Sequence, residues 1–158
     1  NPKHILLSQG TQKEFYEGLG DDANGVIIMS AYHPKAPFKG SLAGMQMNNA
    51  DFAAEYHITT GNKPDEDVAI TFALCQGIDQ AVRATGSVDD QTIMDWLHAR
   101  TPEDPVKTVL GNFAWDDRGL PLGKSFLMVQ WQDGGNLEFV YPTNEFDTAE
   151  IVDPKPQW

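Results

Sequence analysis

Short apolar runs, separated by polar segments that contain glycine, mark the first predicted strands. Ile5–Leu7 and Val26–Met29 each have the length and composition of one buried strand. Between them, Thr11 as an N-cap and Glu14 at the capping-box position predict a short helix that stops at Gly20. A strand, a helix and a second strand joined by short loops are typical of an α/β sheet.

The next part of the chain changes from an aperiodic stretch to a helical period. Ser30–Gly44 contains prolines and glycines and no sustained pattern, so it is predicted to be a long loop or a crossover. A helix is expected between Asn49 and Gly61, and a longer one from Asp65 to Gly86. The residues expected to form the buried stripe of the longer helix are Val68, Phe72, Cys75, Ile78 and Val82.

A strand-like alternation replaces the helical period in the last third of the chain. Lys107–Trp115 is predicted to be a strand, followed by a turn at Asp116–Gly119. Ser125–Trp131 and Asn136–Tyr141 flank glycine-containing residues and predict a hairpin. The tail from Pro142 onward is rich in proline and acidic residues, and it is predicted to run extended over the surface.

Composition and charge narrow the classes of partner. The chain has 158 residues, 41% of them hydrophobic, which is the range of a globular domain. Its formal net charge of -12 argues against nucleic acid as a partner, because nucleic acid attracts clustered lysine and arginine. Cys75 is the single cysteine, so no internal disulfide is expected. The chain begins Asn-Pro without a basic, apolar leader, and we expect any secretion signal to lie outside it or to have been removed.

Motifs for catalysis and for cofactors are weak throughout. The histidines lack the spacing of a zinc site and are far apart in sequence, at His4, His33, His57 and His98. The run Gly123-Lys124-Ser125 is similar to the end of a P-loop, but Arg118 stands where that motif needs a glycine. The serines lack the context of a nucleophile elbow. We therefore expect no enzyme activity, no cofactor and no metal site.

Three ordered segments carry a resemblance to a known family. Asp67–Val82 resembles the long lobe-one helix of binding proteins of the branched-chain-amino-acid type. Val109–Gly119 resembles a hairpin of that family, and Phe126–Gly134 resembles its closing strands. With matching separations, the segments cover most of the chain from Lys3 to Pro142. The chain thus resembles the C-terminal half of a type I periplasmic solute-binding protein of ABC transporters.

The resemblance implies an α/β fold of the type I periplasmic-binding-protein class, with two Rossmann-like lobes joined by hinge crossovers and only the C-terminal portion present. Residues 1–33 would belong to lobe two and residues 34–120 to lobe one. Residues 121–142 would return to lobe two as strands, and 143–158 would form the extended tail. Hinges are expected near Tyr32–Pro37 and Leu120–Gly123. Since each lobe would be incomplete, we expect the strands at Ile5–Leu7, Val26–Met29 and Phe126–Trp131 to expose apolar faces.

The resemblance implies that the chain is the substrate-binding component of an ABC importer. Such a protein would be located in the periplasm, or it would be extracellular and anchored to the membrane. It would capture a small molecule (an amino acid, an amide or an aromatic or aliphatic carboxylate) in a cleft between the lobes. The other expected partners are the complementary N-terminal half and the ABC permease subunits. An alternative is a ligand-sensing regulatory or receptor domain of the same fold. A fragment of an α/β enzyme is a third alternative.

The predicted ligand contacts begin at the carboxyl end of the first strand, where open α/β sheets bind ligands. There Ser8, Gln9 and Gly10 precede a helix, although a plain strand-to-helix turn would explain them too. Amino-acid binders of the family carry a glutamate in this loop that pairs with the ligand ammonium. Gln9 has no such charge, so we expect an amide or carboxylate-bearing solute rather than an aliphatic amino acid.

The remaining predicted contacts come from the crossover and from the start of the long helix. Tyr32 beside the crossover is a candidate pocket wall, with interior packing as the alternative. Asp67 and Ala69 match the position where the family places a pocket side chain. Asp67 is also explained as a first-turn carboxylate that favours the helix dipole.

Overall fold

The computed structural model describes residues 2–123, 126–143 and 146–157, and the chain forms two compact units. Unit 1 comprises Asn1–Ala36 and Phe126–Trp158, and unit 2 comprises Pro37–Ser125. The predicted boundaries fall at residues 33/34 and 120/121, and the assignment of each unit to a lobe stays a prediction.

The elements are given in chain order and fall on both units. They are strand β1 (Ile5–Leu7), helix α1 (Lys13–Leu19), strands β2 (Val26–Ser30), β3 (Lys39–Leu42) and β4 (Met45–Asn48), helices α2 (Asn49–Thr60), α3 (Glu66–Thr85) and α4 (Asp90–His98), and strands β5 (Val106–Thr108), β6 (Gly111–Phe113), β7 (Leu127–Gln132) and β8 (Asn136–Tyr141). A short 3-10 helix at Gly20–Ala23 follows α1.

Unit 1 is built on a four-stranded sheet in the order β1-β2-β7-β8. β1 pairs with β2 in parallel, and the other two pairs are antiparallel. Because side chains alternate along a strand, Val26 and Ile28 of β2 share one buried face, where they pack with Val129 and Trp131 of β7. The sheet confirms the predicted strands of this unit, although Ser125, the predicted start of one of them, lies outside the described residues.

Helix α1 stops before Gly20 as predicted but begins later than predicted. Its N-cap is Gln12, whose side chain makes no capping hydrogen bond, and its first helical residue is Lys13. Thr11, the predicted N-cap, is buried. The Thr11 prediction is wrong because this residue still belongs to the loop that leaves β1, one position before the chain enters the cap.

Helices α2 and α3 of unit 2 begin at side-chain caps and end at glycines. Asn48 and Asp51 form a capping box at the start of α2. At the start of α3, Asp65 Oδ1 accepts a hydrogen bond from the backbone N–H three residues later, at 2.9 Å. Gly61 and Gly86 follow the two helices in the left-handed conformation that glycine adopts without strain. The predicted helix ends are therefore confirmed.

The buried face of α3 differs from the predicted apolar stripe. Cys75 and Ile78 are exposed. The buried residues are instead Ala69, Ala73, Gln76 and Ala81. The stripe prediction is wrong at Cys75 and Ile78, whereas Val68, Phe72 and Val82 are half-buried. Close approach decides the fully buried positions, since β3 and β5 both pack on α3 and a Cβ at Gly40 of β3 would collide with the Gln76 amide.

Two hairpins replace elements that the sequence pattern predicts differently. Within Ser30–Gly44, predicted to be a loop or crossover, β3 begins and pairs with β4. Its turn has a positive φ at Ala43 and Gly44, and Ala43 N–H donates to Asp79 Oδ2 at 2.8 Å. Lys107–Trp115, predicted to be one strand, contains β5 and β6, which fold back on each other. The turn predicted at Asp116–Gly119 is confirmed by the bond from Gly119 N–H to the Asp116 carbonyl, at 2.8 Å.

Residues 146–157 of the tail after β8 contain no helix or strand, and side chains of β7 hold this segment to the sheet. Gln130 Nε2 donates to the carbonyl oxygens of Gly25 at 3.2 Å and Val152 at 3.0 Å, while its Oε1 accepts from Val152 N–H at 2.8 Å. Gln132 Nε2 donates to the Glu150 carbonyl at 2.8 Å. The tail thus belongs to the fold of unit 1.

Candidate functional site

The loop Ser8–Gly10 leaves the carboxyl end of β1 at the edge of the unit 1 sheet. Ser8 and Gln9 are exposed, and Gly10 is buried. Since β1 runs parallel to β2, the carboxyl ends of both strands lie at the same edge. The segment after β2 leads to Tyr32, so the structure brings four of the predicted contact residues to one edge of one sheet.

Gly10 holds this loop in a conformation that other residues avoid. Its φ is +127°, and a Cβ at this position would lie 2.9 Å from Phe15 Cδ2 and 3.1 Å from Ile28 Cδ1. The Gly10 carbonyl accepts a hydrogen bond from Trp131 Nε1 at 2.8 Å. The sequence does not predict Trp131 as a partner of the loop. The alternation of β7 indicates that Trp131 points inward, but it does not indicate which distant residue Trp131 contacts.

Tyr32 is buried and lies in a turn closed by a serine. The Ser30 hydroxyl donates to the Tyr32 carbonyl at 2.8 Å and accepts from Tyr32 N–H at 3.1 Å. Burial raises the pKa of the Tyr32 phenol, so the side chain stays neutral. A neutral, buried phenol fits both predicted roles, a pocket wall and interior packing.

The start of α3 in unit 2 carries the other two predicted residues. Asp67 is exposed in the first helical turn, next to Glu66. Ala69 is fully buried, and its N–H donates to the Asp65 carbonyl at 3.1 Å. Asp67 is therefore accessible to solvent, whereas Ala69 contributes only a small side chain that is buried.

Each unit also carries an open apolar groove. The unit 1 groove, of about 690 Å³, is lined by residues that include Leu6, Ile27, Met128 and Ile151. The unit 2 groove, of about 250 Å³, lies between α3 and the β5–β6 hairpin and is lined by residues that include Ile70, Leu74, Ile78 and Phe113. Neither groove contains a predicted ligand contact.

The described residues contain no group of three His, Cys, Asp or Glu side chains placed to hold a metal ion. Over the same ranges, none of the helices is long and apolar enough to span a membrane. Lys124 and Ser125 of the P-loop-like run lie outside the described residues.

Comparison with known proteins shows which proteins this chain is similar to. No protein-family model matches the chain. The Leu/Ile/Val-binding protein homolog 1 of Brucella suis is 29% identical over 138 residues, which are 86% of this chain and 36% of the relative. The chain is similar to part of the Leu/Ile/Val-binding protein homologs. It spans about a third of the length of these relatives, a smaller share than the half that the resemblance implies.

Solved structures of type I binding proteins share the fold. The branched-chain amino acid substrate-binding protein LivJ of Streptococcus pneumoniae, in complex with isoleucine, superposes with a TM-score of 0.66 at 16% identity, covering 97% of this chain and 38% of that one. A solute-binding protein of R. palustris in complex with benzoate gives 0.53 at 16% identity, covering 75% and 29%. The chain therefore has part of the type I periplasmic-binding-protein fold, and its relatives are solute-binding proteins rather than enzymes.

Proposed function

We propose that the protein is the substrate-binding component of an ABC importer that captures a small organic solute in the periplasm and does not transform it. The observation that carries the proposal is the loop Ser8–Gly10. In a relative of the Leu/Ile/Val-binding proteins, it presents two exposed polar residues at the carboxyl end of a parallel strand. The proposed contact residues are Ser8, Gln9, Gly10, Tyr32, Asp67 and Ala69.

The proposed ligand carries an amide or a carboxylate. The Gln9 side chain offers both a donor and an acceptor but no charge, so it cannot neutralise an ammonium group. A carboxylate or a primary amide, in contrast, can pair with its N–H donors. Isoleucine and benzoate are ligands of the structural neighbours. As probes they compare a carboxylate beside an ammonium group with a carboxylate alone, and acetamide supplies the amide.

The proposed protein partners are a complementary N-terminal half and the ABC permease subunits. The need for a complementary half is supported by the short span of the match and by the apolar grooves of both units. Such a half would cover apolar surface that this chain leaves open. The permease is proposed because it is the membrane partner of the importer class.

Thermal melting and calorimetric titration of the natural full-length protein would test the ligand class. Isoleucine, acetamide and benzoate serve as probes, and we expect acetamide or benzoate to raise the melting temperature more than isoleucine. Gln9→Ala should weaken binding of the best probe by about 1–3 kcal/mol, because a ligand group in a desolvated site loses its partner. Asp67→Ala should weaken binding by a similar amount for a probe with N–H donors, such as acetamide, because the Asp67 carboxylate can only accept hydrogen bonds. Loss of the gene should abolish cellular uptake of that probe.

Two matched variants separate binding from general effects on stability. Gln46→Ala removes another exposed glutamine, and Asp90→Ala removes another exposed carboxylate from the first turn of a helix. Neither should change affinity. A largest shift with isoleucine would contradict the ligand class, and unchanged affinity in both Gln9→Ala and Asp67→Ala would contradict the assigned residues.

A further inference from the structure

The loop Ser8–Gly10 is fixed from inside unit 1 by a residue distant in sequence. Trp131 on β7 is 4% exposed, and its Nε1–H donates to the Gly10 carbonyl at 2.8 Å across a separation of 121 residues. Both partners are buried, so water cannot replace this hydrogen bond when the donor is removed. The bond therefore defines where the loop ends.

Aromatic packing fixes the indole that makes this bond. Phe15 is stacked on Trp131 with ring centroids 6.5 Å apart and planes 12° apart, and the Tyr16 ring lies 5.3 Å away. The Phe15 ring also closes the space beside Gly10, as the 2.9 Å approach of a hypothetical Cβ indicates. Trp131, Phe15 and Gly10 therefore form one interlocked contact.

The other end of the loop is fixed by the sheet. Leu7 is the last residue of β1, and it pairs with Ile28 of β2. Only Ser8 and Gln9 lie between this pair and Gly10, so two fixed ends limit the directions that the Gln9 side chain can take. We propose that Trp131 is a positioning residue for solute binding, which acts through the Gly10 carbonyl and orients Gln9. This inference rests on the proposed function.

The test removes the indole N–H and keeps an aromatic ring in place. Trp131→Phe is compared with Tyr16→Phe, which takes a hydroxyl from the same aromatic stack without touching Gly10; that hydroxyl donates to Asp21 Oδ1 at 3.2 Å. A second variant carries benzothienylalanine at position 131, which keeps the bicyclic shape but has sulfur in place of the N–H. It separates loss of the hydrogen bond from loss of packing if Trp131→Phe folds poorly.

Two readouts are measured on the natural full-length protein. Hydrogen–deuterium exchange of the peptide spanning residues 8–13 should become at least about fivefold faster in both position-131 variants, and it should stay unchanged in Tyr16→Phe. The dissociation constant of the best probe among isoleucine, acetamide and benzoate should rise about fivefold or more in the same two variants. Gln9→Ala should lose most of this sensitivity to position 131, because no side chain is left to orient.

The outcomes separate this inference from the proposed function. Unchanged exchange at residues 8–13 in the benzothienylalanine variant would overturn the role of Trp131 in the loop. Faster exchange with unchanged probe affinity would overturn its role in binding. If the wild-type protein binds none of the probes, the proposed function and the binding role fail together, and the exchange data still decide whether Trp131 fixes the loop.

Discussion

In both units, a pair of glutamine side chains bonds the backbone of another segment. The two glutamines of a pair are spaced differently along the chain in the two units. In unit 1, Gln130 and Gln132 are two residues apart on a strand and bind the tail. In unit 2, Gln76 and Gln80 are four residues apart on α3 and bind the β5–β6 hairpin: Gln76 Oε1 accepts from Val109 N–H at 2.8 Å, and Gln80 exchanges hydrogen bonds with the backbone of Lys107.

The difference follows from the periods of the two elements. Residues i and i+2 share a face of a strand, whereas i and i+4 share a face of a helix. Each pair of glutamines therefore lies on one face of its own element and bonds the backbone of another segment, the tail in unit 1 and the β5–β6 hairpin in unit 2. Gln76 and Gln130 are both fully buried, which makes their amide groups costly to lose.

The largest expected effect concerns a property that both units share, an open apolar face. Leu6 is 63% exposed in the unit 1 groove, and Leu74 is 65% exposed in the unit 2 groove. We expect the 158-residue chain to self-associate in the absence of the proposed complementary half, giving a broad distribution in sedimentation velocity. A monodisperse monomer that melts cooperatively would contradict this expectation.

Matched substitutions show which unit drives the association. Leu6→Lys should suppress it more than Leu74→Lys, because the unit 1 groove is the larger and Leu6 lies on the edge strand of its sheet. The same sedimentation experiment compares the two variants at equal concentration. An equal effect of both would mean that the two grooves contribute alike.

Replacing Gln130 tests the anchor of unit 1. Gln130→Met keeps the length of the side chain but removes its bonds to Gly25 and Val152, so the free energy of unfolding should fall by about 2–3 kcal/mol in urea. Exchange of the Val152 amide should also become faster. Gln132→Met removes the second contact with the tail at a half-buried position and should cost less, below about 1 kcal/mol.

The equivalent change in unit 2 should have a smaller effect. Gln76→Met removes the acceptor for Val109 N–H, and among the described residues Gln76 Nε2 has no hydrogen-bond partner to lose. We expect a loss of about 1–2 kcal/mol in the same urea measurement. A loss larger than that of Gln130→Met would contradict the expectation that the glutamine with more hydrogen bonds contributes more to stability.

The smallest effect is a pH dependence that belongs to unit 1. His33 Nε2 lies 3.0 Å from the Leu137 carbonyl, and Nδ1 accepts from Lys35 N–H at 3.2 Å, which fits a neutral ring. Burial lowers the pKa of His33 below its usual 6.5, and the nearby Lys35 charge lowers it further. The hydrogen bond to the Leu137 carbonyl and the charge of Glu138 raise the pKa, but they do not cancel the effect of burial. The unfolded chain therefore binds more protons, and stability should fall as the pH drops below about 6.5.

Urea unfolding between pH 7.5 and pH 5 would measure this dependence. One proton limits its slope to about 1.4 kcal/mol per pH unit. His33→Gln, which can still donate to the Leu137 carbonyl, should flatten the curve, whereas His57→Gln at an exposed position in unit 2 should not. An unchanged curve in His33→Gln would assign the pH dependence to other groups.

The sequence predicts elements whose signals are local. The cap and the terminal glycine predict the helix from Asp65 to Gly86. Apolar runs between polar loops predict the strands of unit 1. The turn at Ala43-Gly44 is missed because Ala43 adopts its positive φ with the help of Asp79, a residue on another element. Only the folded unit provides that contact.

The candidate site also combines features that the local sequence predicts with features that depend on distant contacts. A polar loop at the end of a predicted strand identifies Ser8 and Gln9 as candidates, because strand ends are where α/β sheets bind ligands. The conformation of the loop depends on Trp131, which no local pattern connects to Gly10. Likewise, the inward face of α3 is set by how closely β3 and β5 approach, and hydrophobicity along the helix does not report that distance.

The order in which the chain is made bears on when the candidate loop is completed. Unit 2 is one continuous stretch, Pro37–Ser125, whereas the unit 1 sheet needs β2 to pair with β7, with Ile27 opposite Gln130. During synthesis from the N-terminus, all of unit 2 is available before β7 exists, and unit 1 must then close a loop of about a hundred residues. Trp131 reaches Gly10 only at that late stage, so a loop that is synthesised before unit 2 acquires its final conformation after unit 2 is available.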